Sequence, residues 1–313
     1  MFGYLVRRIL AAIPVMGVVA LFVFFLLRLT PGDPAAIIAG NSATPEQLER
    51  IRSALGLNEP LHTQFFTWIW RLLHGDFGVS LISQIPVMQL IGQRIEPSLT
   101  IALSTIVLAV LVAVPLGVVA AWKHNSWIDR AVMALSVFGF SVPVFVIGYV
   151  LVQIFAIDLK WLPVQGFRSL SRGFWPFFEH ALLPTLTLSF IYVALIARMT
   201  RAAMLEVLGE DYVRTARAKG IGEASVLLRH GLRNAAVPVI TVIGAGFALL
   251  ISGVVVTESV FNLPGIGRLT VDAVLARDYP VIQAMILLTS GLYVMINLAI
   301  DVGYAFLDPR IRY

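Results

Sequence analysis

Six stretches of this 313-residue chain carry no Asp, Glu, Lys or Arg: residues 9–27, 97–122, 131–157, 180–197, 234–257 and 279–300. They are 19, 26, 27, 18, 24 and 22 residues long, so all 41 formal charges crowd into the other 177 positions. About 20 apolar residues carry a helix across the hydrocarbon core of a bilayer. A charge at its centre costs roughly 2.5–3.5 kcal/mol on insertion scales. The pattern predicts an all-α membrane protein with six transmembrane helices. A soluble alternative would need six core helices of membrane length in one domain. It would also carry about 25% charged residues, where this chain has 13%.

Residues 77–93 lack charge too, but Gly78, Ser80, Ser83, Gln84, Pro86, Gln89, Gly92 and Gln93 interrupt the apolar run and leave it outside the bilayer. Arg7-Arg8 ahead of the first stretch has the look of a secretory signal. The run of 19 is longer than a usual signal core and no small-x-small cleavage site closes it before Arg28, so it reads as a retained span. The organisation expected is a tail and first span over 1–29 and an extracytoplasmic loop with short helices over 30–96. A core of spans follows over 97–305, with a polar loop at 198–233, and a tail over 306–313.

A net charge of +5 suggests acidic partners, but the placement of the cations points to topology rather than nucleic acid. With the amino terminus inside, the inner segments hold thirteen Lys and Arg: Arg7, Arg8, Lys123, Arg130, seven between Arg198 and Arg233, Arg310 and Arg312. The short outer loops hold five: Lys160, Arg168, Arg172, Arg268 and Arg277. The long first loop is left out because the positive-inside bias applies to short loops. Both termini are expected in the cytoplasm.

In the first loop, Pro31-Gly32-Asp33-Pro34 forms a hard turn. Thr44-Pro45-Glu46-Gln47 starts a helix as N-cap, proline at the first position and a capping box, and Gly56 stops it. A second amphipathic stretch aligns Leu61, Phe65, Ile69 and Leu72, with Trp68 and Trp70 nearby, and ends at Gly75. Such helices can lie on the outer membrane surface or cap the bundle. The acidic and basic mixture of the first favours capping.

Within the spans, Gly139-Phe140-Ser141-Val142-Pro143 gathers glycine and proline into one turn. Gly139, Ser141 and Pro143 are therefore the candidates for an unwound segment beside a translocation path, against the plainer reading of helix-packing sites. Gly-x-Ser-x-Pro is not the strained nucleophile turn Gly-x-Ser-x-Gly.

The chemistry that is missing narrows the function. There is no cysteine, hence no disulfide or thiolate site. No phosphate-cradling Gly-x-x-x-x-Gly-Lys-[Ser/Thr] occurs, and His62, His74, His124, His180 and His230 lack metal-ligand spacing. No carboxylate falls deep within a predicted span, where ion-coupled carriers place theirs. A self-powered pump, a proton-coupled carrier and an intramembrane enzyme are disfavoured, and an autonomous secondary carrier stays as the weaker alternative.

What remains is the loop Glu210-Asp211-Tyr212-Val213-Arg214-Thr215-Ala216-Arg217-Ala218-Lys219-Gly220. Acidic residues open its helix and Lys219 closes it, matching the helix dipole at both ends. Ala216 and Gly220 leave a face without bulk that a partner can approach, and Gly220 can take the left-handed conformation that stops a helix. A positive-inside anchor loop would account for the cations, but it would need no alanine- and glycine-faced helix.

The segment Tyr212-Val213-Arg214-Thr215-Ala216-Arg217-Ala218-Lys219-Gly220 resembles the EAA loop of type I ABC-importer permeases, in the form used by the dipeptide/oligopeptide permease family. Arg214-Thr215-Ala216 stands in the Glu-Ala-Ala place, and Leu232-Arg233 departs from the usual closing Leu-Pro. Other landmarks run in the same order as in that family. They are Pro31-Gly32-Asp33-Pro34; Leu55-Gly56, Pro60, Trp68 and Gly75-Asp76-Phe77-Gly78; and Arg94, Pro97 and Ser98. Glu258, Phe261, Pro264-Gly265, Gly267-Arg268-Leu269 and Asp278-Tyr279-Pro280 follow, and Leu307-Asp308-Pro309-Arg310 closes the chain.

The resemblance implies a six-helix permease, the first of a pair, with a second related permease and two ATPase subunits beneath. An extracytoplasmic substrate-binding protein would deliver the solute. ATP and magnesium would be held by the ATPase partners and no cofactor by this chain. The implied cargo is di- and oligopeptides, with glutathione, nickel chelates, opines or oligosaccharides as alternatives in the same machinery. The implied setting is a bacterial inner membrane.

Overall fold

A computed structural model describes residues 2–29, 35, 44–54 and 56–307. The Pro31–Pro34 turn, Leu55 and the closing segment from Asp308 lie outside the described residues. In hydrocarbon every backbone polar group must be satisfied within its own segment, which leaves helix as the form for these apolar runs. The long helices are α1 (Phe2–Leu29), α4 (Val87–Trp122), α7 (Phe174–Leu208), α10 (Arg233–Gly253) and α13 (Tyr279–Leu307). Shorter ones are α2 (Pro45–Ala54), α3 (Leu61–Leu73), α5 (Trp127–Ser141), α6 (Val144–Leu151), α8 (Asp211–Ala218), α9 (Glu223–Ser225), α11 (Val255–Val260) and α12 (Ile266–Ala276).

Among the described residues five helices are long and apolar enough to cross a membrane, six when a bent pair is counted as one span. That pair is α5 with α6 and its π-helical continuation Val152–Asp158, bent by 100°. The third charge-free stretch is therefore two helical pieces bent at a break rather than a straight rod. The break falls at Val142-Pro143. Proline has no N–H to give to the preceding turn, and its ring drives the residue before it out of the helical region. Val142 accordingly sits at φ −93°, ψ 124°.

The chain divides into two compact units, one made chiefly of 94–268 and the other of 9–93 with 269–291. In the first, α7 packs against α5, α6 and α10. Between membrane helices burial from water drives little, so close approach through small residues does the packing. A Cβ on Gly117 would lie 2.6 Å from Thr200 Cβ, and one on Gly139 would lie 2.8 Å from Ala194 Cβ. In the second unit, Val23 and Phe24 of α1 are buried against α3. The Phe24 ring meets Phe65 edge-on at 5.1 Å and Trp68 at 5.7 Å. Residues 87–93, part of the stretch kept out of the bilayer, form the first turns of α4, whose 36 residues run about 54 Å. That outruns the roughly 30 Å hydrocarbon core.

Candidate functional site

The polar loop is a helix held on its own chain. α8 packs against the return segment Val226–Leu232, which is wound as a π-helix. Val213 (0% exposed) and Ala216 (6%) are its buried positions. The Tyr212 hydroxyl accepts a hydrogen bond from Asn234 Nδ2 at 2.9 Å, and Asn234 Nδ2 also donates to the His230 carbonyl at 2.7 Å. Arg217 Nη2 reaches Glu223 Oε1 at 2.7 Å, tying the helix across its turn, and this bond raises the guanidinium above its ordinary pKa. Gly220 sits at φ +78°, with its N–H on the Arg217 carbonyl at 2.9 Å and the Ile221 N–H on the Ala216 carbonyl at 3.2 Å. That is the Schellman closure, and α3 ends on the same device at Gly75.

The expected bare face for a partner is redistributed by this geometry. Ala216 lies inside the chain, so its small side chain lets α8 seat on the return segment. The outward surface is Tyr212, Arg214, Thr215, Arg217, Ala218, Lys219 and Gly220, all exposed. It is basic.

The Gly139–Pro143 group is divided as well. Gly139 is buried at the contact with α7 and packs as an ordinary small residue. Ser141 and Pro143 are exposed at the break, with Ser141 Oγ donating to the Val137 carbonyl at 2.9 Å.

Three carboxylates carry structure that spacing alone did not reveal. Asp129, 3% exposed, accepts two hydrogen bonds from Arg201, one of them from Nη2 at 2.8 Å, with His124 Nδ1 at 3.2 Å. Arg201 reads from sequence as a cation outside the docking face, replaceable without effect. The structure makes it the partner of a buried charge. We expect Arg201→Gln to lower stability by about 3 kcal/mol, because it leaves that carboxylate buried and uncompensated. Melting of the detergent-solubilised protein should show the loss. Asp129→Asn in the same chain should recover much of it.

Glu258 is wholly buried. Its Oε1 accepts from Ser98 Oγ at 2.5 Å and its Oε2 from the Arg268 N–H at 2.7 Å, while Ser98 Oγ accepts from the Ile266 N–H at 2.8 Å. These amides belong to the first turn of α12, whose donors have no partner within the helix. Gly265 precedes that turn and offers no side-chain cap, so Glu258 and Ser98 supply one from elsewhere in the chain. A Cβ on Gly265 would fall 1.9 Å from Glu258 Oε1, which explains the glycine. Burial pushes the Glu258 carboxyl up, while Ser98, the Arg268 and Gly267 amides and the Arg94 charge pull it down.

Asp278, the residue before α13, instead holds the turn at Ser80 and Leu81. It accepts from Ser80 Oγ at 2.5 Å and from the Leu81 N–H at 3.1 Å. Residues far apart in the chain thus meet, Ser98 with Glu258 and the Ile266 amide, and Ser80 and Leu81 with Asp278. Among the described residues no group of three or more His, Asp or Glu converges as metal ligands would.

Residues 113–313 match the model of the binding-protein-dependent transport system inner membrane component family, and residues 1–104 match that of its amino-terminal part. The chain belongs to this family and is a multi-pass inner-membrane permease component of an ABC importer, not itself a catalytic subunit. It is 54% identical over 310 residues to the probable peptide ABC transporter permease protein y4tP of Sinorhizobium fredii, covering 99% of each chain. It is 45% identical over 313 residues to the glutathione transport system permease protein GsiC of Escherichia coli strain K12, covering 100% of each. Its fold is similar to a chain of the MetNI methionine ABC transporter in an inward-facing conformation, with TM-score 0.59 and 16% identity over 71% of this chain and 97% of that one.

Proposed function

We propose that this chain is the first of two permease subunits in an importer of di- and oligopeptides, driven by ATP hydrolysis in two partner ATPase subunits. A substrate-binding protein outside the membrane would deliver the cargo. The observation that carries the cargo class is the 54% identity across 99% of the chain to a relative named as a probable peptide permease. The 45% identity to a glutathione permease favours glutathione, itself a short peptide, as the second reading.

In this reading the basic outer surface of α8, Tyr212 to Gly220, docks in an ATPase groove, and ATP and magnesium stay with that partner. Both termini face the cytoplasm, as the thirteen-to-five cation asymmetry favours. The test is co-purification of the partners with this chain, followed by uptake and ATPase stimulation in proteoliposomes with peptide-loaded and glutathione-loaded binding proteins. Stimulation by neither, with the complex intact, would sink the cargo assignment.

The exposed break at Ser141 and Pro143 is proposed as part of the path. Ser141→Trp is expected to reduce uptake at least tenfold, about 1.4 kcal/mol in the corresponding barrier, while the complex still assembles. Unchanged uptake would make the break a packing feature alone.

A further inference from the structure

Helix α3 has more apolar surface than its contact with α1 uses. Phe65, Trp68, Ile69 and Leu72 turn toward α1, where the last three join the cluster of Ala20 and Val23 and the Phe65 ring meets Phe24. Phe66, Trp70 and Leu73 continue the apolar arc around the helix, and they are 67%, 65% and 77% exposed. The remaining sector, with Thr63, Gln64, Thr67 and Arg71, is polar, and His62 in the first turn is the polar residue on the apolar arc.

Depth along α1 fixes what meets that second apolar face. Phe24 stands four residues before Arg28, the first charge after the charge-free stretch, so α3 docks about 6 Å or more inside the level of that charge. At the same level α1 exposes Leu21, Phe22 and Phe25, at 45%, 63% and 38%. A span presents such side chains to acyl chains. Helix α3 meets α1 at Val23 and Phe24, within the apolar span and at the depth of these exposed side chains.

We infer that α3 is a membrane-interface helix, with Phe66, Trp70 and Leu73 among the lipid acyl chains at the carboxy-terminal end of α1. Its three sectors then match three surroundings: protein on one side, lipid on the second, water on the third. Trp70 is the residue type that favours this boundary, with its ring in the apolar layer and its indole N–H toward the headgroups. The Arg71 guanidinium can reach lipid phosphates from the polar sector. On the proposed topology this is the outer leaflet.

The absence of cysteine makes the test direct. Phe66→Cys, Trp70→Cys, Leu73→Cys and Thr67→Cys are made singly and spin-labelled in the assembled transporter in lipid nanodiscs. Collision with oxygen, which concentrates in lipid, is compared with collision with a water-soluble nickel chelate. The ratio should shift from nickel-favoured at 67 to oxygen-favoured at 66, 70 and 73. Labels at 66, 70 and 73 shielded from both reagents would mean that a protein partner covers this face, and nickel-favoured labels there would mean water; either overturns the inference. As a second measure, Trp70→Phe should remove part of the tryptophan fluorescence that brominated lipids quench. An unchanged quenchable fraction would overturn it as well.

Discussion

Gly265→Val should leave almost no correctly folded permease. The new Cβ would fall 1.9 Å from Glu258 Oε1, and that carboxylate is completely buried with hydrogen bonds on both oxygens. Either the start of α12 moves or the cap is abandoned. Each charge-assisted hydrogen bond lost costs about 1.5–3 kcal/mol, so losing two removes a large part of a typical 5–15 kcal/mol stability. Membrane yield and the melting temperature of the purified protein would report it. Glu258→Gln should be milder, since an amide keeps the shape but sets one NH₂ or one weaker acceptor against the donors of Ser98 and Arg268. Ser98→Ala combined with Glu258→Ala should cost less than the two singles added, because they remove one shared cap. Strict additivity, or a native melting temperature for Gly265→Val, would refute the cap.

The second large effect is expected in the loop helix. Ala216→Glu places a charge at a position 6% exposed within the chain itself, which costs about 3–5 kcal/mol unless α8 lifts from its seat. Gly220→Val forces a β-branched residue to φ +78°, costing roughly 1–2 kcal/mol or more, although no atom lies within 4 Å of the new Cβ. Both lie outside the apolar spans, so membrane insertion should survive. Both should lose transport-linked ATP hydrolysis in the reconstituted complex, because the outward basic surface is presented only while α8 is seated and closed. Full substrate-stimulated hydrolysis in both variants would reduce the loop to a topological anchor.

Much of the fold was legible because a bilayer imposes a strict rule on sequence. Charge-free runs of membrane length can hardly be anything but spans, and the six predicted stretches fall on the six apolar segments of the structure. Local punctuation was legible for a similar reason. Pro143 broke the third charge-free stretch where its missing N–H required, and Gly220 closed the loop helix in the left-handed region that glycine tolerates. The loop also carried the resemblance that led to the family.

The partners in space were not legible. Nothing in spacing joins Ser98 to Glu258 across 160 positions, or Asp129 to Arg201 across 72. Arg201 looked like a spare cation and nothing marked Asp129; folding made them a buried pair. Ala216 shows the same limit from the other side. Its small size was visible, but only the fold could say that the closely approaching surface belongs to the chain's own return segment. Sequence alone determined which segments enter the membrane and where the chain turns, because solvent and backbone act on each residue locally. The tertiary structure decided which polar groups satisfy one another, because a buried donor is answered by whichever acceptor the packing brings near.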